Sequence, residues 1–185
     1  YFDWRNWAVA LAVCTPGDHI IEIGANIGTE TIGFADIVGK TGHVSAFEPI
    51  PENYKAIQRN VIRNDLEQIK IYPFAVGAVC DTIEFALPPD KHASGVGYVI
   101  QDADTSDIPK IEVQSASLDS LQQELGPSRL LVMDVEGSEI PVLRGGREYF
   151  NRVQPVIVLE AASRQLKRSG YDLTSLYNEL TALHY

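Results

Sequence analysis

The residues equipped for chemistry sit where apolar runs end. The stretch Ile20 to Glu30 reads IIEIGANIGTE: Ile20, Ile21 and Ile23 are β-branched, Glu22 is acidic, and Gly24, Ala25 and Gly28 remove side-chain bulk where a buried strand must turn into a helix. A bare backbone lets a ligand approach closely, and the free N–H groups and positive end of the following helix, TETIGFADIV, would face it, with Thr29 or Asn26 as the expected cap. A dinucleotide fingerprint needs G-x-G-x-x-G, but counting from Gly24 its second glycine falls on Asn26 and its third on Thr29. A pyrophosphate is therefore disfavoured. Glu48 ends the next apolar run, HVSAFEP, 20 residues beyond Gly28. A carboxylate at that place in a doubly wound fold takes the ribose hydroxyls of an adenosine ligand, two acceptor oxygens against two vicinal donors. The plainer alternatives are a tight turn for the glycines and a surface carboxylate before a proline for Glu48. Their joint order and spacing favour the ligand site.

A second group lies at Asp134, Val135, Glu136, Gly137, Ser138 and Glu139, directly after the apolar run RLLVM, with Glu160 closing the later run PVIVLE. Ligands of open parallel sheets bind beyond the carboxyl ends of the strands. Carboxylates gathered there can hold an ammonium, take a proton from a hydroxyl, or bind a divalent metal. Asp134 and Ser138 as helix caps is the competing reading, and it accounts well for Glu139. Two carboxylates at one strand end exceed what a cap needs, so Asp134 and Glu136 are assigned to chemistry. His92, in the polar stretch between Val79 and Ser117, is the second catalytic candidate; His19 and His43 open strands and His184 lies at the end. Ala75, near the end of the run IKIYPFAV, would border an adenine, although tight packing selects a small residue equally well.

These residues need a scaffold in which strand and helix alternate. FDWRNWAVALAVC spaces its apolar residues as a helix stopped by Pro16 and Gly17, with Trp4 and Trp7 expected in the core and one wall of the pocket closed by it. After Pro49 and Pro51, PENYKAIQRNVIRND presents Tyr54, Ile57, Val61 and Ile62 on one helical face, and IKIYPFAV supplies a third strand. Such repetition predicts an α/β fold, a doubly wound and mostly parallel sheet with helices on both faces. Between Val79 and Ser117 the runs TIEFAL and KIEVQSAS flank a polar stretch, which reads as a hairpin or lid inserted at the ligand edge. Then come a helix SLDSLQQEL capped by Ser117 or Asp119, the fourth strand RLLVMD, a helix EIPVLRGGREYF, the fifth strand PVIVLE and a helical stretch from Ala161.

Length and composition set the bounds. The 185 residues, 45% hydrophobic, suit one globular domain. The net charge of −10 repels nucleic-acid phosphates and tolerates neutral or cationic small molecules. Cys14 and Cys80 are too few for a disulfide scaffold or a metal knot, which points to a reducing cytoplasm. There is no apolar run of 18 residues and no basic-then-apolar leader, so neither a membrane span nor a signal peptide is expected, and the start at Tyr1 is that of an excised domain.

In order, IIEIGANIGTET, SAFEPIPENYKAIQRNVIRND, SLDSL, LLVMDVEGSEIPVLRGG and QPVIVLE resemble the FkbM-type methyltransferase domain, over roughly residues 18 to 160, most tellingly in D-V-E-G-x-E-x-x-V-L-R-G at Asp134 to Gly145. The resemblance implies the class I methyltransferase (Rossmann-like) fold, S-adenosylmethionine as cofactor, and methylation of a hydroxyl on a sugar or natural product. It assigns cofactor contacts to Gly24, Asn26, Gly28 and Glu48, and the same pattern carries the acidic Glu22 ahead of the loop. A complete sheet of that class has two strands more than are visible here. The family run commonly reads K-I-D-V-E-G, and its lysine falls on Val132. Of the rival functions, a nicotinamide-dependent oxidoreductase would share Glu48, but no Tyr-x-x-x-Lys pair occurs in the chain. A non-catalytic cofactor-binding domain is the other rival. Since the D-V-E-G run continues straight into a helix whose N-terminus satisfies Asp134, transfer without a metal is expected.

Overall fold

In the computed structural model, residues 4–87, 97–100 and 109–185 are described. His92 lies outside them. In chain order the elements are α1 (Trp4–Val13), β1 (His19–Ile23), α2 (Thr29–Val38), β2 (His43–Phe47), α3 (Pro51–Arg63), β3 (Ile69–Tyr72), β4 (Ala75–Val76), β5 (Asp81–Ala86), β6 (Tyr98–Val99) and β7 (Lys110–Ala116). There follow α4 (Leu118–Leu125), β8 (Leu130–Met133), α5 (Glu139–Gly145), α6 (Arg147–Val153), β9 (Val156–Leu159), α7 (Ser163–Arg168) and α8 (Leu173–Ala182).

The described residues form one five-stranded parallel sheet in the order β3-β2-β1-β8-β9. The order reverses at β1, whose carboxyl end is therefore flanked by the ends of β2 and β8, where Glu48 and Asp134 follow. The two faces of each strand feed two cores. Ile21, Ile23, Leu131 and Met133 pack with α4, α5, α6 and α8 through Leu118, Ile140, Phe150 and Leu176. Ile20, Val44, Leu130 and Val132 pack with α1 and α2 through Ala10, Phe34, Ala35 and Val38. Strands buried on both faces read as continuous apolar runs, as IIEI and LLVM do.

The stretch between Val79 and Ser117 is more than a hairpin. β5 and β7 pair antiparallel, as the alternation predicts, but β4 adds parallel to β7 and β6 antiparallel to β5, giving a second sheet in the order β4-β7-β5-β6. This corrects the third strand: IKIYPFAV divides at Pro73, which has no N–H for a ladder, so Ala75 opens β4 of the second sheet instead of ending β3. The run EIPVLRGGREYF likewise divides, at Gly146, into α5 and α6. After β9 the chain continues into α7 and α8. Trp4 and Ile62, expected in the core, are exposed, whereas Trp7 packs into the second core and its indole N–H donates to the Glu30 carbonyl at 3.2 Å.

Candidate active site

An open cleft of about 610 Å3 lies across the carboxyl ends of β1, β2 and β8 and is closed on one side by the second sheet. Glu48 forms its floor. The residue is buried, and its carboxylate is held by the chain's own donors: Asn26 N–H to Oε2 at 2.8 Å, Ile50 N–H to Oε1 at 2.8 Å and Asn53 Nδ2 to Oε1 at 3.4 Å. Burial pushes its carboxyl up to about 7, against the opposing pull of these bonds. Oε2 thus accepts from one of these donors and Oε1 from two, the Asn53 contact being the longest. Asn26 adopts a left-handed φ of 52° and its buried Oδ1 has no partner among the described residues. Around these polar groups stands an apolar wall from Phe47, Pro49, Ile50, Phe74, Ala75 and Val135. Ala75 is thus at the cleft, as expected, though from another sheet.

A smaller cleft continues past Gly24 toward α1. It is lined by Asn6, Glu22, Thr29 and Glu30 and shares Ile23, Gly24, Asn26 and Asp134 with the first. The expected role of α1 as a wall is met by Asn6, whose Nδ2 donates to Glu30 Oε2 at 2.8 Å. Gly24 is required by close packing at the crossover: a Cβ there would lie 2.0 Å from the Asp134 carbonyl oxygen. Gly28 lines neither cleft. It is itself the N-cap of α2, in the left-handed region at φ 83° and with no side-chain cap from Thr29 or Asn26, and a Cβ on it would meet the Ile57 side chain at 3.0–3.3 Å. Glu22 is buried with its Oε2 accepting from Thr31 Oγ1 at 2.5 Å, and burial pushes it up to about 8. Val132, where the family pattern has lysine, is its register partner on β8, so the neighbouring strand offers Glu22 no counter-charge.

At the end of β8 the acidic groups converge. Carboxylate oxygens of Asp134, Glu136 and Glu160 all lie within 4.8 Å of one another. Asp134 lines both clefts, and desolvation, Glu160 and Glu136 together push it up to about 8. Glu136 sits at a left-handed φ of 53°; Gln165 Nε2 donates to its Oε2 at 2.7 Å, and Arg168 donates to its carbonyl oxygen at 2.5 Å while lying 3.7 Å from Oε2. The helix-cap alternative for Asp134 is not what is seen. α5 starts at Glu139, its N-cap Ser138 makes no side-chain cap bond, and it is Glu139 Oε1 that accepts the Gly137 N–H, at 3.2 Å. Sequence reasoning overlooked Phe74 and Arg168 and read Ser138 only as a helix cap, the position it takes at α5. Phe74 carried a signal, an aromatic after a strand-breaking proline; Arg168 did not.

A parallel five-stranded sheet with this reversal and a ligand cleft at the ends of its first, second and fourth strands defines a class I methyltransferase fold. The family model described as "Methyltransferase FkbM domain" matches residues 22–185, and the chain belongs to that family. The cofactor is S-adenosylmethionine, for which the ready carboxylate of Glu48 and the unpartnered Asn26 Oδ1 are suited. Among solved structures, the FkbM methyltransferase of Methylobacillus flagellatus KT is 18% identical with a TM-score of 0.63, covering 92% of this chain and 38% of its own. An S-adenosylmethionine-dependent O-methyltransferase of Thermotoga maritima is 14% identical with a TM-score of 0.52, covering 96% of this chain and 51% of its own. A Streptococcus mutans protein in complex with S-adenosylhomocysteine is 7% identical with a TM-score of 0.55, covering 96% of this chain and 79% of its own. This chain therefore spans well under half the length of the FkbM protein it resembles. No curated protein sequence matches it.

Proposed function

We propose that this domain transfers the methyl group of S-adenosylmethionine to a hydroxyl oxygen of a small molecule, a sugar or a natural product. The observation that carries this reading is the position of Asp134, which lines both clefts, with Asn26 in each and with Glu48 and Glu136 in the first. The cofactor supplies an already activated methyl group, so the protein has to align the acceptor oxygen and receive its proton. A carboxyl pushed up to about 8 is a stronger base, once ionised, than an ordinary carboxylate. Asp134 is accordingly the base, and Glu136, fixed by Gln165 and Arg168, orients the hydroxyl. Arg168 also sets a fixed positive charge against the acidic group, which supports transfer without a divalent metal.

No helix among the described residues is long and apolar enough to cross a membrane. The exposed free thiol of Cys80 suits the cytoplasm, and the net charge of −10 suits a small acceptor better than a nucleic acid. Calorimetry should show saturable binding of S-adenosylmethionine and none of NAD; binding of NAD alone, or of neither, overturns the reading. With an acceptor in hand, Asp134→Asn is expected to lower turnover by about 10²-fold or more while cofactor affinity changes little. Retained turnover removes Asp134 from the role of base.

A further inference from the structure

Helix α1 is seated on α2 through a notch. Gly33, inside α2, leaves the space that the Trp7 indole fills: a Cβ there would lie 2.2 Å from Trp7 Cε2. The seated indole donates to the Glu30 carbonyl at 3.2 Å, and one position earlier the Asn6 amide donates from Nδ2 to Glu30 Oε2 at 2.8 Å. The carboxylate partner fixes which end of the amide is the nitrogen. Asn6 is half-buried and lines the smaller cleft, and its second N–H makes no further hydrogen bond among the described residues. It precedes residues 22–185, so the family pattern assigns it no role.

The smaller cleft is short of donors. Its charged residues are Glu22, Glu30 and Asp134, and no lysine or arginine lines it among the described residues. The turn after β1 has spent its backbone N–H groups within the protein: Gly24 and Ala25 donate to the Phe47 carbonyl, Gly28 to the Ala25 carbonyl and Asn26 to Glu48. The amino-acid end of S-adenosylmethionine carries an ammonium, which acidic walls suit, and a carboxylate, which they repel. Only a neutral side-chain donor can take that carboxylate here, and an amide N–H is one. We propose that α1 is part of the cofactor site and that Asn6 binds the amino-acid end, its second N–H donating to the cofactor's carboxylate. This rests on the cofactor reading above, with the ribose at Glu48. The two clefts share Gly24, Asn26 and Asp134, so a ligand whose nucleoside lies in the first can extend to Asn6 in the second.

S-adenosylhomocysteine and 5′-methylthioadenosine share the adenosine and the thioether sulfur and differ in the amino-acid chain. In calorimetric titrations, S-adenosylhomocysteine is expected to bind Asn6→Ala at least about fivefold more weakly than the unaltered domain, while affinity for 5′-methylthioadenosine stays within about twofold. Alanine is the better helix former, and urea unfolding checks that the variant is folded. Gly33→Ala leaves Asn6 in place but fills the notch, and it should show the same selective loss. In Asn6→Ala, an equal loss for both ligands would make the residue a structural clasp, and no loss for either would remove it from the site. Full S-adenosylhomocysteine affinity in Gly33→Ala would separate α1 from the cofactor. Each of these results overturns the proposal, whereas failure of the unaltered domain to bind S-adenosylhomocysteine strikes the cofactor reading instead.

Discussion

At Glu48 three donors from the chain meet one buried carboxylate, and the contest between burial and those bonds decides when the group is ready to accept ribose hydroxyls. Glu48→Ala should weaken S-adenosylhomocysteine binding by about 1.5–3 kcal/mol, the range for hydrogen bonds to a charged group. The carboxyl stands near 7 in the free domain and must be ionised to accept both hydroxyls. Binding therefore releases a proton below that pH, and affinity should fall about tenfold from pH 8 to pH 6. The dependence should flatten in Glu48→Gln; a slope unchanged by that substitution would assign the titration to another group. At Gly28, which lines neither cleft, the neighbour that a side chain would meet is Ile57. A side chain there pays about 1–2 kcal/mol for the left-handed backbone and must also displace Ile57. Gly28→Val should show lost stability in urea unfolding, with cofactor affinity falling only as the folded fraction does. Glu48 and Asp134 were legible because a carboxylate closing an apolar run has few other reasons to be there. Arg168 was not, because its partners, Glu136 and Tyr98, come from distant parts of the chain.

Among the elements, α7 does more than its six residues suggest. Gln165 and Arg168, three positions apart and so on one helical face, both hold Glu136. The other side of the Arg168 guanidinium stacks on Tyr98 of β6, which ties the second sheet to the loop after β8. A double-mutant cycle of Arg168→Ala and Tyr98→Ala should give a coupling of roughly 0.5–2 kcal/mol. Hydrogen exchange should show faster opening at β5 and β6 in either variant while β1 and β8 stay protected. Additive effects, or loosening spread evenly over both sheets, would mean the stack couples nothing. This brace escaped sequence reading for a physical reason: β6 is two residues long, too short for an alternating pattern, and α7 too short for a periodic one.

Over the whole molecule the net charge is −10, and at the site three carboxylates face one arginine. That field favours cationic ligands and is screened by salt. The same field would attract a divalent ion, and it is the fixed positive charge of Arg168 beside Glu136 that stands against one. Turnover, once an acceptor is found, should persist in EDTA and gain nothing from added magnesium; activity lost on chelation and restored by magnesium would make Asp134 and Glu160 metal ligands.

What the sequence by itself determined is the parallel sheet, its strand order through the family pattern, and the loops that carry Glu48 and Asp134. Continuous apolar strands, helical spacing and small residues at a turn are local signals, written within a dozen residues of where they act. Only the tertiary structure decided that the third strand breaks at Pro73 to start a second sheet, that Trp4 faces outward and Trp7 inward, and that Gly28 packs against Ile57. It alone brought Gln165 and Arg168 to Glu136 and laid Arg168 on Tyr98. Pairing between segments tens of residues apart is settled by how the layers pack, and no spacing within a single segment records it.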